Sequence, residues 1–190
     1  MKQAICALQS VTPYSQSKNI DREQYPKKPR ETDPAYEFRM WKSRMHIDKA
    51  GFVEIPTTSF EGAIREAVKR LQIQVPGKGK CLFTKPFEAG FAVLASITTN
   101  TLAETVAYDR LFVPSDGKPG GGRRVWKYFP RIDQWSGAIH CVIYDDLITR
   151  DVFVKAIESA GLLVGIGRFR PQNRGFYGRF KVDSVDWSEV

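Results

Sequence analysis

The chain has 190 residues, with 29 lysines and arginines against 21 acidic residues, a formal net charge of +8 and a pI near 9.5. Apolar residues make up 42 %, enough to build a hydrophobic core without staples and too many for a disordered tail, while no run approaches the roughly 20 apolar residues of a spanning helix. The basic balance favours an anionic partner, of which nucleic acid is the commonest, and the placement of the charge decides between that and a merely solvated surface.

Residues 2–9 alternate Lys2, Ala4, Cys6 and Leu8 with Gln3, Ile5, Ala7 and Gln9, which predicts a strand. This opening carries one charge and a brief apolar stretch, shorter than a signal peptide. The cysteines, Cys6, Cys81 and Cys141, are odd in number, far apart and outside any Cys-x-x-Cys. The expectation is a cytoplasmic protein with reduced, buried thiols, no metal and no cofactor. From about residue 11 to 50 runs a polar stretch with Pro13, Pro26, Pro29 and Pro34 and a basic knot at Lys27, Lys28 and Arg30. Tyr36, Met40 and Trp41 fall on one face of a short helix within 35–45. Irregular segments of this length are functional or disordered when they occur inside domains, so a mobile insertion is expected.

Residues 52–56 read as extended. Thr58 and Glu61 then make a capping-box pair, and Phe60, Ala63, Ile64, Ala67, Val68 and Leu71 repeat at helical spacing up to about residue 72, before Pro76 and Gly77. Short strands are expected at 82–83, 90–96 and 110–113, a glycine-rich loop at about 115–122, and firmer strands at 124–129 and 138–144. Thr149 is placed to cap a helix over 150–160 with Val152, Phe153, Ala156, Ile157 and Ala160 as its buried stripe and Gly161 at its end. A strand over 162–166, a loop and a closing strand over 176–182 complete the chain. Without insertions the order is strand, helix, strands, helix, strand. That predicts an α+β fold of ferredoxin-like type, an antiparallel sheet with two helices on one face, in one domain spanning 1–190.

Charge concentrates in two segments, 116–131 and 165–181, the second without any acidic residue. The first contributes Lys118, Arg123, Arg124 and Lys127 as candidate binding residues, the second Arg168, Phe169, Arg170, Arg174, Tyr177, Arg179 and Lys181, and the insertion adds Lys42 and Arg44. Glycines let a backbone approach a phosphate, cations neutralise it, and aromatic faces stack on unpaired bases. In a strand over 176–182, Tyr177, Arg179 and Lys181 share the face turned to ligand or solvent. The expected site is thus a strip of guanidinium groups and rings lining the open face of the sheet, with single-stranded RNA or DNA as partner.

Other motifs carry less. The run from Arg174 to Phe180 departs by one residue from the RRM aromatic signature and is not followed by a helix. Gly165 and Gly167 lack the third glycine of a dinucleotide fingerprint, and the glycine–lysine run at 76–80 lacks the ending of a P-loop. Asp145 and Asp146 suit a helix entry. His46, beside Arg44 and Asp48, is a candidate base for RNA cleavage, but no nucleophile or second acid accompanies it. No catalytic residue is expected.

Two stretches together carry a family resemblance. Val53-Glu54-Ile55-Pro56-Thr57-Thr58-Ser59-Phe60-Glu61-Gly62-Ala63-Ile64-Arg65 resembles the Ile-Pro-x-Ser-Ser-hydrophobic-Lys-Gly-x-hydrophobic-Arg segment of the RAMP superfamily, especially the backbone subunits of CRISPR effector complexes. The 165–180 segment is similar to their glycine-rich C-terminal loop. The resemblance implies a modified RRM-like core with insertions, packing of copies side by side along a guide RNA, and a grip on the RNA backbone by the loop after Ile55 and the long insertion. Some relatives cut target RNA with an aspartate several residues before the matching Ile-Pro. Here that neighbourhood reads Trp41-Lys42-Ser43-Arg44, without a carboxylate, and Asp48 lies closer to the proline, so the resemblance does not carry target cleavage over to this chain. A chain this short is also consistent with a phage or mobile-element relative. The expected function is therefore non-enzymatic binding of single-stranded nucleic acid with self-association along the strand. A protein-interaction module mimicking a CRISPR subunit and a metal-independent ribonuclease stand as alternatives.

Overall fold

The computed structural model describes residues 1–21, 23–115 and 122–189. Lys118, named above as a candidate, lies outside them. A four-stranded antiparallel sheet is built from β1 (Lys2–Ser10), β3 (Phe91–Val93), β7 (Ser136–Ile143) and β8 (Phe180–Glu189), in the spatial order β3-β7-β1-β8. Helices α2 (Thr57–Leu71) and α4 (Arg150–Ser159) pack side by side on one face. In chain order these six elements run β1, α2, β3, β7, α4, β8, the ferredoxin-like arrangement.

The core lies between the helices and that face. Alternation in β1 turns Ala4, Cys6 and Leu8 inward, where Ile139, Cys141 and Ile143 of β7 join them. The α2 stripe Phe60, Ala63, Ile64, Ala67 and Val68 and the α4 stripe Phe153, Ala156 and Ile157 close over it. Cys6 and Cys141 are free and buried, and the hydrogen bond between them, with burial, pushes the Cys141 thiol well above its ordinary range. No group of three or more histidine, cysteine or acidic side chains among the described residues is arranged to hold a metal, and no described helix is long and apolar enough to cross a membrane.

Several local expectations change. Pro56, with extended backbone, occupies the cap position of α2, and no side chain caps the helix. Glu61 is drawn away from the expected capping box. One of its oxygens accepts the Val93 N–H at 3.0 Å, tying α2 to β3, and the other meets Arg65 at 3.1 Å. Residues 82–83 form only a single bridge with Gln74, followed by a short helix α3 (Thr84–Ala89). Residues 162–166 are not a strand. The α4 spiral widens into a π turn over Ala160–Val164 and stops at Gly165, whose φ is +73°. Gly161 lies inside that turn, where a Cβ would fall 2.2 Å from the Phe180 carbonyl oxygen, so only a glycine lets β8 pass so close. The closing strand begins at Phe180, not at 176.

Between β3 and β7 the chain makes two excursions. Strand β4 (Ile97–Leu102) pairs with β2 (Phe52–Ile55). A long hairpin then follows from β5 (Ala107–Pro114) and β6 (Arg124–Arg131), in continuous antiparallel register from Ala107↔Arg131 to Pro114↔Arg124. The 11–50 stretch, expected to be mobile, is held at both ends. Tyr14, Ser15 and Gln16 are buried and Tyr14 exchanges backbone hydrogen bonds with Ile132, while helix α1 (Asp33–Met40) packs on β6 and buries Tyr36, Glu37 and Met40.

Candidate nucleic-acid interface

The expected strip on the open sheet face does not form. None of β1, β3, β7 and β8 contains an arginine. Their uncovered side carries Gln3, Ile5, Ala7 and Gln9 between Ser136, Ala138 and His140 on one side and Lys181, Ser184 and Asp186 on the other, with one cation and no Phe, Tyr or Trp. The cations gather instead on the β5–β6 hairpin and around its base.

Pairing of β5 with β6 sets Tyr108, Arg110 and Phe112 on the same face as Arg124, Trp126 and Tyr128. Phe112 and Trp126 lie opposite one another, with ring centroids 5.1 Å apart. The Arg110 guanidinium sits 4.3 Å over Trp126 and 5.9 Å from Tyr128, and that of Arg124 lies 5.2 Å over Phe112. Rings and guanidinium groups therefore alternate along one face. The outer members stay open, with Phe112 45 % and Trp126 40 % exposed. No carboxylate pairs with Arg110, Arg123 or Arg124 among the described residues. At the base of this face α1 closes in, with Phe38 against Tyr108 and Tyr128 at 5.7 and 5.1 Å. A hollow of about 380 Å³ separates Thr32, Asp33 and Pro34 from Phe112, Arg123, Arg124 and Trp126. Lys127 projects from the opposite hairpin face and reaches the Ser115 carbonyl at 3.0 Å.

The glycine-rich 165–178 loop packs on that opposite face. Phe169, at φ +51°, meets Phe129 edge-on at 5.2 Å. Tyr177 donates its hydroxyl to Asp109, which also pairs with Arg131 at 2.8 Å; burial first, then this hydrogen bond, pushes the Tyr177 hydroxyl up to about 12. The glycines serve the loop itself. At Gly178, φ +79°, a Cβ would stand 1.9 Å from the Ile166 carbonyl oxygen, and at Gly175 it would stand 1.7 Å from that of Phe169. They admit the chain's own backbone, where the sequence had suggested a phosphate.

The arginines of this loop separate. Arg168 is half-buried, its guanidinium 4.4 Å over Phe129 and 5.3 Å over Phe169. Burial, and then the neighbouring positive Arg44, pull its pKa below the usual guanidinium range. With Arg44, Lys18 and Tyr36 it lines a cavity of about 310 Å³. Arg44 bonds Glu37 at 2.6 Å, and Glu37 is buried. His46 belongs to the same neighbourhood. It is partly buried, and burial followed by the Lys18 charge lowers its pKa, so the imidazole is neutral near pH 7. Arg170 is partly buried and its Nε has no hydrogen-bond partner among the described residues, while Arg174 is exposed at φ +61°. Arg179 turns away to bond the Leu162 carbonyl at 3.2 Å, and Lys181 pairs with Asp183 at 3.1 Å. Tyr177, Arg179 and Lys181 therefore share no common outward face. Lys42 is exposed, 5.6 Å from the Trp41 ring.

Four residues absent from the sequence-derived set stand out here: Lys18, Arg110, Phe112 and Trp126. The period-two spacing of Tyr108, Arg110 and Phe112, matched by Arg124, Trp126 and Tyr128, was the readable signal.

No protein-family model matches the chain, and no curated protein matches it. Among solved structures the fold is similar to a chain in the cryo-EM structure of the Type III-B Cmr-beta bound to cognate target RNA. The TM-score is 0.53 at 10 % identity, covering 98 % of this chain and 60 % of that one. Cmr6 from Pyrococcus furiosus gives a TM-score of 0.47 at 12 % identity over 96 % of this chain and 99 % of its own. A chain of a CRISPR RNA-guided surveillance complex gives 0.35 at 15 % identity over 95 % and 67 %. The chain spans about three fifths of the Cmr-beta chain it matches. At this identity the likeness establishes the fold alone, an α+β ferredoxin-like core shared with that Cmr-beta chain.

Proposed function

We propose that this chain binds single-stranded nucleic acid, RNA in the first place, without a chemical step of its own. The observation that carries the reading is the open ladder of rings and guanidinium groups on the β5–β6 hairpin. Unpaired bases stack on Phe112 and Trp126, while Arg110, Arg123 and Arg124, with no carboxylate partner among the described residues, meet the phosphates between them. The fold supports the choice of RNA, since the Cmr-beta complex that contains a similar chain was solved with target RNA. In this reading copies of the chain assemble side by side along the strand.

The test is fluorescence anisotropy with an unstructured RNA oligonucleotide and its duplex across a salt series. The single strand binds more tightly, and log affinity falls with log salt by about 0.7 per phosphate contacted. Salt-independent binding, or equal affinity for the duplex, refutes it. RNA cleavage with neutral His46 as base is the second reading, favoured by the lowered pKa beside Lys18. Labelled RNA left intact by the wild type, or cut equally by His46→Ala, removes it. Co-purification with protein but no nucleic acid supports an interaction module instead.

A further inference from the structure

The cavity at the hairpin base brings three cations together without enough acceptors. Lys18, Arg44 and Arg168 line it, with Ser17, Asn19 and Tyr36. Neither Arg168 nor Lys18 forms an ion pair among the described residues, and the Arg168 guanidinium has no hydrogen-bond acceptor there either. Arg44 gives one nitrogen to Glu37 at 2.6 Å, and its Nε is buried with no partner among the described residues. The Arg44 Nε, withdrawn from water and left without an acceptor, is costly, and the neighbouring Arg44 and Arg168 guanidinium groups also repel. The chain nevertheless holds this arrangement firmly. Arg168 is clamped over Phe129, its backbone N–H donates to the Ser15 carbonyl at 2.7 Å, and the Lys18 N–H donates to the Arg44 carbonyl at 2.8 Å. A geometry fixed in this way suits an anion supplied from outside.

Charge and size narrow the anion. Three cations and the one carboxylate of Glu37 leave two positive charges. A phosphomonoester carries about −1.5 to −2 at pH 7, whereas an internal diester carries about −1. The planar guanidinium groups fit phosphate oxygens in pairs. A volume of about 310 Å³ is at the small end for ligand pockets, room for a phosphate with its ribose, and the Ser17 and Asn19 side chains suit sugar hydroxyls. We propose that this cavity is a socket for a nucleotide phosphomonoester, presented by a strand end or by a free nucleotide. The strand-end form rests on the strand-binding reading above; the socket itself does not.

Thermal unfolding is followed with adenosine 5′-monophosphate and with adenosine, on the wild type, Arg168→Met and Lys18→Gln. Methionine keeps an apolar stem over Phe129, and Lys18 is exposed, so at least one variant folds normally. The expected result is a rise in wild-type Tm with the monophosphate and not with adenosine, at concentrations about tenfold lower than either variant requires. No response in the wild type, an equal response to adenosine, or the same response in all three proteins overturns the proposal. A second arm compares RNA of one sequence with a 5′-phosphate and a 5′-hydroxyl. A preference for the phosphorylated strand that disappears in Arg168→Met assigns the socket to strand ends. A response to the monophosphate without that preference assigns it to free nucleotide. A wild type that takes the monophosphate but binds neither strand keeps the socket and sinks the strand-binding function.

Discussion

Replacing Trp126 with alanine removes the broadest ring of the hairpin ladder and separates base stacking from charge. The ring is 40 % exposed and contacts Phe112 at 5.1 Å and the Arg110 guanidinium at 4.3 Å. Those two contacts are worth about 1–2 kcal/mol to folding at an exposed site, so the variant remains folded. As a stacking platform for one base the same ring contributes about 1–3 kcal/mol to binding, a loss of about 5- to 150-fold in affinity. No phosphate contact disappears, so the salt dependence keeps its slope. Arg110→Gln behaves in the opposite manner, with a slope shallower by about 0.7. Anisotropy with a labelled single-stranded RNA over a salt series measures both quantities, and circular dichroism verifies the fold. A folded Trp126→Ala protein with affinity within about twofold of wild type refutes stacking on the hairpin. So does a loss that arrives with a changed slope.

Gly178→Ala forces a Cβ to 1.9 Å from the Ile166 carbonyl oxygen at φ +79°; unfolding stability should fall by about 1–3 kcal/mol or more, and an unchanged denaturation midpoint contradicts the packed-loop account. Glu37→Gln strips Arg44 of its carboxylate; because that side chain remains 17 % exposed, the cost should be about 3 kcal/mol, the lower edge for breaking a buried pair, as read by chemical denaturation. The Glu31 carboxyl is held down from its ordinary 4.5 to about 2, first by the hydrogen bond from Arg39 and then by the Lys28 backbone N–H. A depressed carboxylate stabilises the fold fully above pH 4.5 and progressively less as pH falls toward 2. The stability gap between wild type and Glu31→Ala should shrink over that window, and a gap that widens there contradicts the pairing.

The parts of the fold that could be read in advance bury one side of a regular element. Strand β1 and helices α2 and α4 each press one face on the core, so their apolar residues recur with the period of the backbone. Strand β4 reads Ile-Thr-Thr-Asn-Thr-Leu and gives almost no apolar signal, because Thr99 is buried by donating its hydroxyl to the Val53 carbonyl at 2.9 Å. Leu162, Leu163 and Val164 have the composition of a strand. They form a π turn because the close passage of Phe180 over Gly161 decides the local backbone. Phe176 and Tyr177 likewise look like alternating strand residues, yet Gly175 and Gly178 fold them into a knot against the 12–16 segment.

The sequence by itself determined that the chain is basic, α+β and rich in arginine, glycine and aromatic residues near two loops, since composition and periodicity are local properties. Which cations stand together was decided only by the tertiary structure. Arg168 and Arg170 are close in sequence, but Arg168 meets Arg44 and Lys18 around one cavity. Arg110 finds its rings through the register that sets Phe112 opposite Trp126. Charge density along a chain is set residue by residue, whereas charge density in space depends on strand pairing and backbone clearance between segments distant in sequence, and no window of residues contains that information.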